Sequence, residues 1–599
     1  MASLAAERPR STHTQVSASG GRRTPWGSDM HDIAVRGGLV IDGTGVAARR
    51  ADVGITGGRV TAIGDVGEAR RSIDVEGQVV APGFVDVHTH IDAQVCWDTS
   101  LSPSSLHGVT TMLAGNCGFT LAPINPDHAD YLVRMLAIVE GMPLEALQAG
   151  VPCDWTSTSE YLDRVDGTLA VNAGFMVGHS ALRRVAMGEA ATQREATAAE
   201  IAGMVQMLRA GLAAGGLGFS SSWGVAHTDA AGDPVPSRFA PVSELVTLAA
   251  QCRDFAGTSL EFLPKYVDRF DPAQAELLAS LSAAAQRPLN WNVLRITVNE
   301  LAQANEALRQ ADHAKSMGGK VVGLNMPIPS RARFSFLTGF VLGALPGWGE
   351  VIGLPVDERV RALRDPDVRR RLEASAPNAV GPMREICEWD KRVIVETFTP
   401  QTKKYEGRVT ADIARDEGKS AFDALLDIVC EDNLRTMFTR LASAPSADDW
   451  HLIIDACRTG RTMIGASDAG AHLDFTAYFD YPVYVIEHAV RRHGVLALEE
   501  AVQMLTSVPA DLYGLRDRGR LVEGACADLV VFDPATVGSG TITTRFDLPA
   551  AAGRLYAEPV GVSHVLVNGA PIVEYATFTD DRPGTLLRAG RDTITPSLD

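Results

Sequence analysis

The stretch GFVDVHTHID, residues 83–92, sets two histidines one residue apart directly after an apolar, β-branched run. In an extended chain alternate residues project to the same side, so His88 and His90 point one way and Thr89 the other. Two imidazoles converging on one point can hold a metal ion, since His is the commonest protein metal ligand. The competing reading is a half-buried strand whose histidines hydrogen-bond to neighbours. Further chemistry-bearing residues end short apolar runs elsewhere: Cys117 in TMLAGNCG, His179 in FMVGH, Ser220 to Ser222 in GLGFSSS, Glu261 in SLEFLP, Asn290 and Asn292 in LNWNVL, Asn325 in KVVGLNMP and Asp468 in MIGASDAG. A histidine pair in that company reads as belonging to a metal centre.

The elements that must position these residues are legible as a pattern. Eight short apolar runs, beginning near 84, 109, 171, 216, 259, 289, 320 and 462, alternate with helical stretches such as TAAEIAGMVQMLRAGLAAGG. That alternation is the mark of a parallel sheet built from βα units, and eight strands are the number that closes a TIM (β/α)8 barrel, whose C-terminal face gathers functional side chains. The span from 327 to 461 is too long for one connection and reads as an insertion, about 328–461. Strand-and-turn text at the two ends, DIAVRGGLVIDGTG early and CADLVVFDPATV with VSHVLVNGAPIV late, suggests one composite β-sandwich made from both. The expected organisation is a disordered extension over 1–31, the N-terminal share of the sandwich over 32–80, the metal-dependent barrel over 81–505, and the C-terminal share of the sandwich with the tail over 506–599.

Composition narrows the function classes. At 599 residues the chain exceeds what one core usually serves. A net charge of -18 argues against a general nucleic-acid or anionic-membrane partner, which would need clustered positive surface. Eight cysteines with no CxxC pair fit a reducing compartment. No apolar run reaches the ~18 residues of a membrane span, and residues 1–29 lack the apolar core of a secretory signal. A cytoplasmic protein is expected.

The segments PGFVDVHTHID, GVTTMLAGNCGFTLAP, VGHSALRRVAMG and GASDAGAH, with ADLVVFDP late in the chain, resemble the amidohydrolase superfamily, in particular its N-acyl-D-amino-acid deacylase branch. The resemblance runs over roughly residues 32–570. It implies that His88 and His90 bind one metal, that Cys117 sits where the branch has a thiolate ligand, and that Asp468 binds metal or handles a proton. Two departures stand out: Glu261 and the pair Asn290 and Asn292 occupy places where the deacylases carry histidine ligands. A more oxygen-rich, anionic set moves preference from zinc toward iron or manganese. The stretches GFSSSWGVAHTDAAGDPVPSRFA, LEFLP and LNWNVL resemble a subgroup of amidohydrolase-fold proteins that includes the nonheme diiron monooxygenase of platensimycin and platencin biosynthesis.

That second resemblance implies two irons held by His88, His90, Cys117, Glu261 and Asp468, O2 as cosubstrate, an electron donor, and hydroxylation of a hydrophobic, CoA-linked acyl substrate, in a chain that could form a homo-oligomer. Asp468, Glu261, His179 and His227 are the candidate catalytic residues, and His179, His227, Asn292 and His472 are open as further ligands or as supports for the ligands. Two rivals stand beside this expectation: a zinc-dependent hydrolase of N-acyl-D-amino acids, with Asp468 shuttling the proton, and a metal-free binding protein on the same scaffold. Within the insertion, RARFSFLTGFVLGALPGWGEVIGLP suits either a lid over a lipophilic substrate or a packed hairpin. The eight arginines between 331 and 371 suit either carrier phosphates or a solvated face.

Overall fold

The computed structural model describes residues 30–329, 331–339, 341–376, 382–440 and 442–598. Residues 1–29 of the extension expected to be disordered lie outside these, and His31 already opens the first strand, His31–Arg36.

All eight apolar runs form strands, each neighbour pair parallel. They are β1 Phe84–Asp86, β2 Val109–Ala114, β3 in two pieces (Asn172–Phe175 and Val177–Gly178), β4 Gly218–Ser222, β5 Ser259–Leu263, β6 Leu289–Leu294, β7 Val321–Asn325 and β8 Thr462–Ile464. The first piece of β3 pairs with β2, which pairs with β1; the second piece pairs with β4, and the order continues through β5, β6 and β7 to β8. An isolated parallel bridge joins Thr89, just past β1, to Ala469, just past β8. Nearly every residue of these strands is buried, because a parallel sheet covered by helices has no solvent face; small and polar residues, as in GFSSS and LNWNVL, share the strands with Val, Leu and Phe. The covering helices carry their own start signals. Ala198–Ala213 begins with a capping box between Thr197 and Glu200, and Pro272–Ala285 with Asp271 accepting the Gln274 N–H.

The two chain ends meet in one sheet. Strand Val79–Pro82 pairs antiparallel with Leu529–Phe532 in a seven-stranded sheet, and a four-stranded sheet containing His31–Arg36 and Asp52–Thr56 packs on it. Val35, Val53 and Ile55 meet Val80, Leu529 and Val531 in the shared core. Val79–Pro82 runs almost directly into β1, so the sandwich fixes the entry of the strand that carries the histidine pair.

Between β7 and β8 a layer with its own core is inserted. Phe336, Trp348, Phe422 and Phe438 are fully or nearly fully buried within it, and Trp348 stacks on Trp389 with ring centroids 5.4 Å apart. Among the described residues of the apolar stretch, Phe334, Phe336, Leu342, Leu345, Trp348, Val351 and Ile352 pack in this core. Among the described residues no helix is long and apolar enough to cross a membrane.

Candidate metal centre

His88 and His90 lie just beyond the last residue of β1, on extended chain held by Thr89: its N–H and hydroxyl both donate to the Leu113 carbonyl, at 3.1 and 2.8 Å. The His90 N–H donates to the Ala469 carbonyl at 2.8 Å, and the Asp468 N–H to the His88 carbonyl at 3.2 Å, which ties the β1 end to the β8 end. Cys117 is carried by a tight turn after β2, with φ of 55°; this left-handed conformation aims the thiol back at the histidines. Asp468, also left-handed at φ 54°, stands four residues past β8.

Three ligand atoms, one each from His88, His90 and Cys117, lie within 4.8 Å of one another, and all three residues are buried. The Cys117 Sγ is 3.8 Å from His88 Nε2. Asp468 Oδ1 bridges the pair, 3.4 Å from His88 Nε2 and 3.7 Å from His90 Nε2. Glu261, inside β5, accepts the Cys117 N–H at 2.7 Å and brings its other oxygen to 4.0 Å from the thiol. Asn292, inside β6, places Nδ2 3.3 Å from His88 Nε2 and 3.8 Å from Cys117 Sγ, while its Oδ1 is buried without a hydrogen-bond partner. Amide nitrogen and oxygen are interchangeable by a half-turn, and a cation at this point would draw the oxygen inward.

Charge is under tension here. Burial pushes the Cys117 thiol and the Glu261 and Glu140 carboxyls well above their ordinary values, while the His90 imidazole is pushed down to about 3, chiefly by burial. Burial alone would raise Asp468 too, but its hydrogen bond to His88 and the fields of His88, His90 and His472 outweigh that and hold it below the usual carboxylate range. A buried set of two imidazoles, a thiol and carboxylates is satisfied by one change, the arrival of a cation that takes the ligands in their deprotonated forms. The donors fit a zinc-like ion, for which nitrogen and sulfur in a compact cluster are the preferred chemistry.

The other candidates sit apart from this cluster. His179 is fully buried and uses both ring nitrogens: Nδ1 meets Ser221 Oγ at 2.8 Å and Nε2 meets Glu244 Oε1 at 2.9 Å, while Arg183 closes a bidentate pair on Glu244. It has no nitrogen left for a metal. His227 follows β4, with Nδ1 2.8 Å from Ser222 Oγ and its ring 5.0 Å from that of Phe119; its field reaches Asp468 and His88. Asn290, beside Glu261 in the sheet, binds the Leu260 carbonyl and the Tyr513 hydroxyl instead of reaching the cluster. Glu140 was not anticipated. Its Oε1 lies 3.4 Å from His90 Nδ1, yet it follows a helix with no strand to announce it, so only its place among buried groups reveals it. Of the eight arginines of 331–371, Arg331 pairs with Asp480, Arg333 with Glu396, Arg369 with Asp427 and Arg359 with the carbonyls of Phe336 and Leu337, while Arg370 and Arg371 pair with acids on the solvated face, so the set is spread over separate partners and does not converge on one anion.

The model of the amidohydrolase family matches residues 71–573. The chain belongs to that family. The protein is 30% identical over 567 residues to the D-aminoacylase of Alcaligenes xylosoxydans xylosoxydans, covering 94% of this chain and 98% of that one, and 28% identical to the N-acyl-D-glutamate deacylase of the same organism, covering 93% and 96%. Among solved structures it resembles a D-aminoacylase studied for its binuclear metal centre, with TM-score 0.62, 28% identity and coverage of 93% of this chain and 100% of that one. It also resembles the N-acyl-D-glutamate deacylase from Bordetella bronchiseptica in complex with zinc and a phosphonate mimic of the tetrahedral intermediate, with TM-score 0.64, 27% identity and coverage of 94% and 100%.

These findings overturn the expectation of an O2-dependent diiron monooxygenase. The relatives named above are deacylases that span the chain, and one of them binds zinc with a phosphonate mimic of the tetrahedral intermediate, so the closeness to the oxygenase subgroup, the iron pair, O2, the electron donor and the hydroxylation of a CoA-linked acyl substrate all fall. The physical reason lies in the cluster: the atoms that meet are two imidazole nitrogens and a sulfur, and one oxygen of Glu261, whose presence had argued for iron, is engaged by the Cys117 N–H.

Proposed function

We propose that this amidohydrolase family member is a zinc-dependent hydrolase that cleaves the amide bond of N-acyl-D-amino acids. The observation that carries the reading is the convergence of His88, His90, Cys117 and Asp468 beyond the ends of β1, β2 and β8, in a chain aligned almost end to end with a D-aminoacylase. His88, His90, Cys117 and Asp468 would hold zinc, with Glu261 and Asn292 as further oxygen donors. The closing of the eight parallel strands into one TIM barrel, and the division at about 32, 81 and 506 with an insertion near 328–461, belong to the same proposal.

Bound zinc lowers the pKa of water and polarises a carbonyl. Asp468, held ionised beside the two imidazoles, accepts the proton that the attacking water gives up. The water oxygen bonds to the acyl carbon, the C–N bond breaks, and Asp468 returns the proton to the departing nitrogen; the second water proton passes from the new carboxyl group to the amine, leaving a carboxylate and an ammonium. His227 contributes an imidazole whose Nε2 has no hydrogen-bond partner among the described residues, suited to steady the developing negative charge on the carbonyl oxygen.

Zinc-loaded protein offered matched N-acyl-D- and N-acyl-L-amino acids tests the reading: free D-amino acid is expected, with the L-enantiomers poor substrates. Absence of amine release across a broad acyl panel would reject it.

A further inference from the structure

The inserted layer and the ends of β6 and β7 enclose a cavity of ≈ 760 Å³, within the range of ligand sites. Its apolar wall includes Met326, Ile328, Phe334 and Phe475. Phe475 links it to the candidate centre, since its N–H donates to the His472 carbonyl and His472 lies in the field of Asp468.

The charged groups on this wall are unevenly satisfied. Arg440 is paired with Glu385 at 2.6 Å, and Asp449 accepts the Val298 N–H at 2.7 Å and the Ser446 hydroxyl. Glu300 sits in a turn with Thr297. Arg392 is different. It is only 1% exposed, donates to the Glu385 carbonyl, lies over the Phe334 ring at 5.4 Å, and keeps a buried Nε with no partner. It makes no ion pair within 4 Å among the described residues: the Glu388 and Glu385 carboxylates reach it only through their fields, and burial, with the field of Arg440, presses its pKa down to about 10. Arg295, on the exposed side of the wall, has no ion-pair partner among the described residues. Asn325, at the end of β7, donates to the Leu294 carbonyl at 2.8 Å and leaves a buried Oδ1 without a partner.

We propose that this cavity is a binding site for an amphipathic carboxylate, its anionic end seated on Arg392 and its hydrocarbon body against Met326, Ile328, Phe334 and Phe475. A carboxylate supplies the direct charge-assisted hydrogen bond that the Glu385 and Glu388 carboxylates do not make to Arg392, and the apolar wall gains by covering the chain. Arg295 draws the anion toward the cavity from solvent. The inference deepens the hydrolase reading by naming the substrate class, N-acyl amino acids with a medium or long apolar chain; it rests on that reading for the reaction but not for the binding.

Calorimetric titration of octanoate and of neutral octanamide into the zinc-loaded full chain tests it. Octanoate is expected to bind about tenfold or more tightly than octanamide, with Arg392→Gln erasing that difference. Arg295→Ala, at an exposed position, is expected to weaken octanoate a few-fold at low salt and less at high salt. Met326→Trp, which fills the cavity, is expected to abolish binding even if Arg392→Gln does not fold. Octanoate that fails to bind, or binds equally to wild type and all variants, overturns the proposal. Arg392-dependent octanoate binding in a protein that hydrolyses no N-acyl amino acid would reject the reaction alone; hydrolysis with Arg392-independent octanoate binding would reject the site alone.

Discussion

The carboxylate of Glu261 accepts the backbone N–H of Cys117 at 2.7 Å, joining β5 to the turn after β2 across 144 residues of sequence. The bond fixes the left-handed turn that aims the thiol at His88, and it leaves the second carboxylate oxygen 4.0 Å from the sulfur. Glu261→Ala leaves a buried N–H unsatisfied, and a loss of about 1–3 kcal/mol in unfolding free energy is expected together with weakened zinc binding. Glu261→Gln keeps an acceptor and is expected to retain most of the stability while binding zinc about 10–100-fold less tightly. Thermal melts and competition with a zinc chelator measure the two effects separately.

Asp468→Asn preserves size and removes the proton acceptor. A fall in kcat of about 10²–10⁴ is expected, with a much smaller change in KM, because general-base catalysis is of that order. Steady-state kinetics on an N-acyl-D-amino acid, read beside zinc content, decide whether Asp468 handles the proton: loss of zinc with loss of rate would make it a ligand only.

The sequence carried the sheet clearly and the site incompletely. Eight apolar runs became eight parallel strands because burial on both faces leaves a strong signal in composition. The pair His88 and His90 was legible from spacing two, and Cys117 and Asp468 from their place after strands. Glu140 escaped because it comes to His90 through a helix and a turn with no periodic signature. His179 stood at a strand end as a site histidine should, yet folds into a core network. Its partner Glu244 lies on a helix 65 residues away, and no local pattern announces that pairing. Glu261 and Asn292 were legible as departures from a resembled histidine set but misleading about metal, since the sequence does not show that one carboxylate oxygen is engaged by a backbone N–H.

The His179 network gives a prediction that separates support from chemistry. Glu244→Ala strands the fully buried Arg183 guanidinium, and destabilisation of about 3–5 kcal/mol is expected. His179→Gln retains hydrogen-bonding groups and is expected to cost less. Zinc stoichiometry in each folded variant should match wild type. Loss of zinc in His179→Gln with an unchanged melting temperature would place His179 in the metal centre instead.

Removing metal is expected to lower the melting temperature and abolish hydrolysis, both reversed by zinc. A ligand that binds only the folded state adds about 4 kcal/mol at a free concentration a thousandfold above its Kd. The sandwich core and the inserted core contain none of the candidate ligands, so the metal-free chain is expected to stay folded. Circular dichroism before and after chelation checks this.

The central claim is that the cluster of His88, His90 and Cys117 holds zinc for amide hydrolysis. The most direct measurement is zinc per chain and D-amino acid released, determined on the same preparations of wild type and the double variant His88→Ala, His90→Ala. The account expects wild type to carry zinc and release D-amino acid from an N-acyl-D-amino acid, and the folded double variant to lose at least one metal per chain and all release. Undiminished zinc in the double variant, or a zinc-replete wild type that releases no amine, would contradict it.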